Sequence, residues 1–517
     1  MKKLYLCLLI IDGLGKGENN ISNPFRLVKK NIFEELKKKY PFCYLQASGF
    51  SVGLPVTEPG NCEQGHLTLG TGVINFTPKV RIDLAIEKGE LKDNQIIKKI
   101  IEYYFNHNSR LHFLLTLSQL PVESDLNHLF AFLEDFKTYQ LKEIYFHFFL
   151  DSTYSPPKSS LSLITNFLKE LKERKLPGKI ATLIGRFYAL DTSQEYYLRT
   201  QRAFLALVQG IGTKITDLEK FVQEKKEDQN FKEDMLEPVI LEEKGTIQDN
   251  DIVIFFNFEN QKIKQLAQAF LDPDFKEFPR PIKKNLLIIT LVDYFENLPH
   301  LVIFPQEKIR SNLSRIISEI GLRQFKITDE TRKKHITYYF NGLIDEEHLN
   351  ETIKILPALD SEENAFQITD EIFNYLKLII RDKSFHFVLA NLSLFDFFGH
   401  LGDFNKAVKA IDYLSEKLEE FIDLIKKENW ILIITSDHGN IEKMIDLSRG
   451  TKDTSHNFSP VPFYLISKEW EKEIFRSEEI LGDLTFVLPT ILDLYGVLDK
   501  YQNFFQGKSL LPLLKLK

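Results

Sequence analysis

Cysteine is scarce in this chain: among 517 residues only Cys7, Cys43 and Cys62 occur, and no two of them form a CxxC pair. That excludes a disulfide framework and a thiolate zinc knuckle, and makes a reducing cytoplasm the expected location. Long apolar runs are missing too. No stretch approaches the roughly 20 residues that a membrane span needs, so no membrane partner is expected. An excess of positive charge is likewise absent, with 27% charged residues and a net charge of -7. Such a surface carries no electrostatic footprint for nucleic acid and suits a small soluble substrate. Met1-Lys2-Lys3 ahead of the apolar run Leu4 to Ile11 imitates a signal peptide. No small-residue cleavage site follows, and the run ends in Asp12-Gly13-Leu14-Gly15, so a signal peptide is not expected.

Hydrophobic residues are plentiful at 43%, and a chain of this length exceeds one core, so at least two domains are expected. Leu4 to Ile11 is a branched apolar run stopped by Asp and Gly, the pattern of a strand buried on both faces of a parallel sheet. Trp430 to Thr435 repeats it and runs into Ser436-Asp437-His438-Gly439-Asn440. Ligands bind at the carboxyl ends of strands in open α/β sheets, so Asp12 and Asp437 point to one site. Between them, Leu111 to Leu117, Glu143 to Leu150, Ile180 to Ile184, Asp251 to Phe256 and Asn285 to Leu291 are further strands. Helical patterns such as Ser160 to Lys175 separate them, which predicts a second α/β unit. The charge run Val222 to Asn230 reads as a solvated helix or loop.

Acidic residues and histidines recur at spacings suited to a pair of metal ions. Asp396 and His400 lie four residues apart, Asp437 and His438 are adjacent at a strand end, and His456 stands in Thr454-Ser455-His456-Asn457. Carboxylate oxygen and imidazole nitrogen suit zinc, manganese and similar divalent ions. A single Asp-His pair says little; the set says more.

These fragments and their order resemble the cofactor-independent phosphoglycerate mutases, of the alkaline phosphatase superfamily, over nearly the whole chain. The resemblance is carried by Ile11-Asp12-Gly13, Ala47 to Pro55, Gly60-Asn61-Cys62-Glu63-Gln64-Gly65-His66-Leu67, Phe149-Leu150-Asp151 with Pro156-Pro157-Lys158-Ser159, Gly185 to Asp191, Phe256-Asn257-Phe258, Asp396 to His400, Thr435 to Asn440, and Pro460 to Phe463. It implies an α/β fold, an alkaline-phosphatase-like three-layer domain with an inserted second α/β domain. Residues 1–76 and 305–517 would form the metal-binding domain, and 77–304 the substrate-orienting one. It further implies two divalent ions, manganese or zinc. Asp396, His400 and His456 would hold one; Asp12, Asp437, His438 and Cys62 would hold the other. The activity implied is interconversion of 3- and 2-phosphoglycerate through a phosphoenzyme, by a monomer.

Position 62 is a serine nucleophile in that family, and here it is Cys62. It reads as a thiolate nucleophile, as a metal ligand, or as a relic. The cations expected at the substrate are Arg186, Lys262 and Lys333. Glu123 replaces a family histidine, Thr153 and Tyr154 an Arg-Asp pair, Thr192 an arginine and Glu259 another arginine. A shift of alignment near residues 111–130 would instead offer His128. Phosphoglycerate mutase, a metal-dependent phosphatase or phosphotransferase for another phosphoester, and a catalytically impaired metal-binding protein are the readings that follow.

Overall fold

The computed structural model describes residues 4–193, 197–471 and 476–514, so Met1 to Lys3 lie outside the described residues. Two compact units form, one from Met1–Thr77 with Glu307–Lys517 and the other from Pro78–Gln306.

The first unit is built on an eight-stranded sheet in the order Glu351–Leu356, Gln324–Asp329, Phe387–Leu392, Leu6–Ile11, Ile431–Thr435, Val461–Ile466, Phe42–Gln46 and Arg476–Asp483. Every neighbouring pair is parallel except the two that Val461–Ile466 makes. Along Leu6–Ile11, alternate side chains enter opposite cores: Cys7, Leu9 and Ile11 one, Leu6, Leu8 and Ile10 the other. Helices Glu362–Asp382 and Phe404–Lys427 cover the first face, and Cys62–Thr71, Leu313–Glu319 and Val487–Leu494 the second. Three layers result, and a strand buried on both sides must be apolar throughout, as its sequence is.

The second unit also holds eight strands, ordered Leu301–Val302, Leu287–Thr290, Ile252–Phe255, Leu111–Leu117, Ile144–Leu150, Lys179–Gly185, Val239–Ile240 and Thr213–Lys214. Only Lys179–Gly185 and Val239–Ile240 run antiparallel. Helix Ser159–Glu173 covers this sheet with Leu161, Ile164 and Phe167. The charge run lies on helix Leu218–Glu227 as far as Glu227 and continues past its end, and the Asp217 side chain caps the helix start by accepting from Lys220 N at 2.9 Å. Among the described residues no helix is long and apolar enough to cross a membrane.

Candidate metal centre

Five segments of the first unit converge on one cluster, the loop that carries His456 among them. Asp12 follows Leu6–Ile11, its N–H donating to Leu392 O at 3.0 Å. Gly13, at φ +80°, lets the chain turn there, and a Cβ would stand 3.0 Å from the Asp396 backbone. Asp396 lies in the first turn of helix Leu394–Leu401, and Asp437 and His438 follow Ile431–Thr435. Cys62 opens helix Cys62–Thr71, capped by Asn61 Oδ1 accepting from Gln64 N. That helix packs directly on the Asp437 segment, since a Cβ on Gly65 would meet Asp437 O at 2.5 Å.

The donor atoms of Asp12, Cys62, Asp437 and His438 all fall within 4.8 Å of one another, as do those of Asp396, His400 and His456. Cys62 Sγ is 3.0 Å from His438 Nε2 and 3.7 Å from Asp12 Oδ1. His400 and His456 each bring Nε2 to 3.3 Å from Asp396 Oδ1.

Hydrogen bonds on the far side of the rings decide how the imidazoles are used. His400 Nδ1 donates to Thr454 O at 2.8 Å and His456 Nδ1 to Gly60 O at 3.0 Å. With the proton held at Nδ1, each Nε2 presents its lone pair inward, the arrangement usual for metal-ligating histidine. Those two nitrogens face each other at 3.0 Å. With Asp396 Oδ1 at 3.3 Å from each, the three atoms form a donor set that a divalent ion between them would satisfy. Asp437 Oδ2, fully buried, lies 3.2 Å from His66 Nδ1 and 3.6 Å from His438 Nε2.

The electrostatics agree. Burial pushes the Cys62 thiol up, as does the Asp12 carboxylate beside it. Asp12, against its own burial, is held well below the usual carboxylate range by Arg332 and His438. His438, against its burial, is drawn far above the ordinary imidazole value by Asp437 and Cys62. Asp12, Asp396 and Asp437 are all essentially buried, and such a group of carboxylates demands cationic partners.

One such partner was not expected. Arg332 Nε donates to Asp12 Oδ2 at 2.6 Å, and its terminal nitrogen bonds Asp396. Lys333, expected among the substrate's cations, is half-exposed and pairs with Glu330 at 3.7 Å. Arg332-Lys333-Lys334 offers three cations in a row, and only the short helix Glu330–Arg332 decides which one turns inward. His66 was also missed, although it lies in a motif singled out above. Fully buried, its Nδ1 donates to Cys62 O at 2.8 Å and its Nε2 to Asn391 Oδ1 at 3.0 Å.

In the second unit, Arg186 begins the short helix Arg186–Ala189 and is clasped between Asp151 and Glu123, the latter at 3.0 Å. Glu123 is buried, accepts from Thr116 Oγ1 at 2.9 Å, and is raised above the ordinary carboxylate value chiefly by that burial. Lys262 is half-buried ahead of helix Lys264–Leu271, and Thr153 is exposed. Glu259 accepts from Gln261 N at 2.8 Å. His128 is buried against Asp83 at 2.6 Å.

The protein thus has two α/β units, one of which carries a carboxylate–imidazole–thiol cluster whose donor atoms could hold divalent ions. Residues 82–296 match the family described as the BPG-independent PGAM N-terminus. The 2,3-bisphosphoglycerate-independent phosphoglycerate mutase of Clostridium novyi (strain NT) is 34% identical over 99% of this chain and 100% of its own length. That of Myxococcus xanthus (strain DK1622) is 32% identical over 99% of each. A phosphoglycerate mutase of Leishmania mexicana, crystallised at low cobalt concentration, superposes with a TM-score of 0.66 at 24% identity, covering 96% of both chains. The chain belongs to the 2,3-bisphosphoglycerate-independent phosphoglycerate mutase family.

Proposed function

We propose that this chain is an isomerase that interconverts 3- and 2-phosphoglycerate in glycolysis, with two divalent ions, manganese or zinc, in the first unit. The observation that carries the reading is the convergence of two donor groups, Asp12/Cys62/Asp437/His438 and Asp396/His400/His456, in a member of that family. The ions would supply Lewis-acid charge to the phosphoryl oxygens. Cys62 would accept the phosphoryl group: its sulfur, giving up its proton, would form the S–P bond as the ester P–O bond breaks and the released oxygen takes a proton, and that hydroxyl or its neighbour would then reclaim the phosphoryl group. Arg332 would steady the charge that develops on the phosphoryl oxygens, its guanidinium being planar and always protonated. The second unit would orient the glycerate, with Arg186 and Lys262 as its cations. A cytoplasmic monomer acting on a small phosphorylated substrate completes the reading.

A second reading is a phosphatase or phosphotransferase for a phosphoester with no further acidic group. It is favoured by Arg186, whose charge is already matched by Asp151 and Glu123. Metal-loaded protein assayed on both phosphoglycerates and on an aryl phosphate separates the two. Interconversion supports the mutase, and hydrolysis of the aryl phosphate alone supports the second reading. Inertness towards all three would refute both.

A further inference from the structure

We infer that Cys62 makes the centre a thiolate-ligated one, so that one of its ions is zinc, or another ion of similar softness, bound through sulfur. The inference shares its site with the phosphoryl-transfer reading and concerns what that site selects. Cys62 Sγ belongs to two donor groups at once. One joins it to Asp12, Asp437 and His438, the other to His438 and His456, each within 4.8 Å. Both contain His438, whose Nε2 lies 3.0 Å from the sulfur. Asp437 completes the first of these groups from a fully buried position. A hydroxyl oxygen in place of Sγ would leave an oxygen-rich donor set of the kind manganese accepts, whereas sulfur, imidazole and carboxylate together suit zinc.

The helix adds to this. Cys62 is the first residue of the ten-residue helix Cys62–Thr71, where unpaired backbone N–H groups favour a negative sulfur. Ligation exchanges the S–H bond for a sulfur–metal bond and releases the proton to solvent. The other two cysteines cannot substitute. Cys7 and Cys43 lie on strands, fully buried in opposite cores of the first unit.

Two measurements on the full chain test the inference. Cobalt-loaded protein should show sulfur-to-cobalt charge transfer in the near ultraviolet, and zinc-loaded protein should show, by X-ray absorption, a sulfur neighbour at about 2.3 Å. Cys62→Ser should abolish both signals. It should also reduce the preference for zinc over manganese by at least about tenfold, a loss already common when only the outer partner of a ligand is removed. The comparison of wild type with variant is the readout, because zinc outranks manganese at most such sites whatever the donors. A wild-type zinc shell of nitrogen and oxygen alone, or a cobalt spectrum unchanged by Cys62→Ser, overturns the inference. Should the variant not fold, the wild-type absorption decides by itself. A sulfur signal in protein that leaves phosphoglycerates untouched upholds this inference and sinks the mutase reading; interconversion with a sulfur-free shell does the reverse.

Discussion

Arg332 Nε lies 2.6 Å from Asp12 Oδ2, joining two residues 320 positions apart in the chain and reaching Asp396 with its other end. The guanidinium thus ties together one carboxylate from each donor group, a geometry that neither a lysine amine nor the outward-facing Lys333 reproduces.

Replacing Arg332 by alanine should lower the rate of phosphoryl transfer by about a hundred- to a thousandfold, the usual loss when one preorganised donor to a developing charge is removed. Lys333→Ala should leave it nearly unchanged, since that side chain is half in solvent with Glu330. Steady-state kinetics on the two variants tests this, and equal losses would contradict the assignment.

Two divalent ions per chain are expected by elemental analysis after reconstitution. Replacing Asp437 and His438 together should remove one of them, because that pair belongs to a single donor group while Asp396, His400 and His456 form the other. Less than one equivalent in the wild type, or no loss in the double variant, would refute the two-ion centre.

Cys62→Ser alone should leave phosphoglycerate interconversion weak, although hydrolysis of an aryl phosphate rises. Transfer back to the glycerate requires its free hydroxyl to be held in line, and the positions expected to do so carry Thr153, Thr192 and Glu259. Adding Thr153→Arg, Thr192→Arg and Glu259→Arg to Cys62→Ser should raise interconversion beyond the sum of the separate effects, since nucleophile and grip act on one transition state. Intact-mass detection of phosphate on residue 62 accompanies the rate measurement. A wild type that already turns over at ordinary rates would show that other residues hold the substrate.

Acid should weaken the contribution of a buried histidine pair in the second unit below about pH 6.5, opposed by Glu233, whose carboxyl burial pushes up to about 7. His112 and His147 are fully buried, 3.0 Å apart, with Asp251 and Thr182 as their outer partners, Arg110 on Asp251, and Tyr145 against His112. Burial lowers the pKa of His112; burial and then His112 hold His147 well below the ordinary value. At these two positions the unfolded chain therefore binds protons that the folded unit does not. Stability is fully present above the unfolded value of about 6.5 and declines as pH falls from there towards the folded values. Asp251, whose pKa is lowered against burial by its bonds to His112 and Arg110, loses its contribution only at lower pH. Urea unfolding followed between about pH 7.5 and 5 should show the decline, and a His147→Asn variant should show less of it. A flat profile would contradict the prediction.

Much of the architecture was legible because burial on both faces leaves a one-dimensional trace. Strand Leu6–Ile11 and strand Ile431–Thr435 must be apolar at every position, so their ends and the acids that follow them can be read off the chain. The strand of the first run begins at Leu6 rather than Leu4, since pairing with Phe387 and Ile431 starts there. The adjacent Asp437 and His438, and Asp396 with His400 one helical turn on, were visible for the same local reason.

Side-chain direction was not. Arg332 and Lys333 have the same charge and nearly the same neighbours in sequence, and only the turn at Glu330–Arg332 sends one inward and the other to solvent. Arg186 meets Glu123 and Asp151 from 63 and 35 residues away, so its neutralisation depends on how three strand ends come together. The imidazoles complete the contrast. Sequence alone determined that His400 and His456 were there and that residue 62 is a cysteine. The carbonyls of Thr454 and Gly60 determined, through the folded backbone, which ring nitrogen keeps its proton and which faces the centre. A residue's type is a local property, but the state in which it works is set by the partners that the tertiary structure places on its other side.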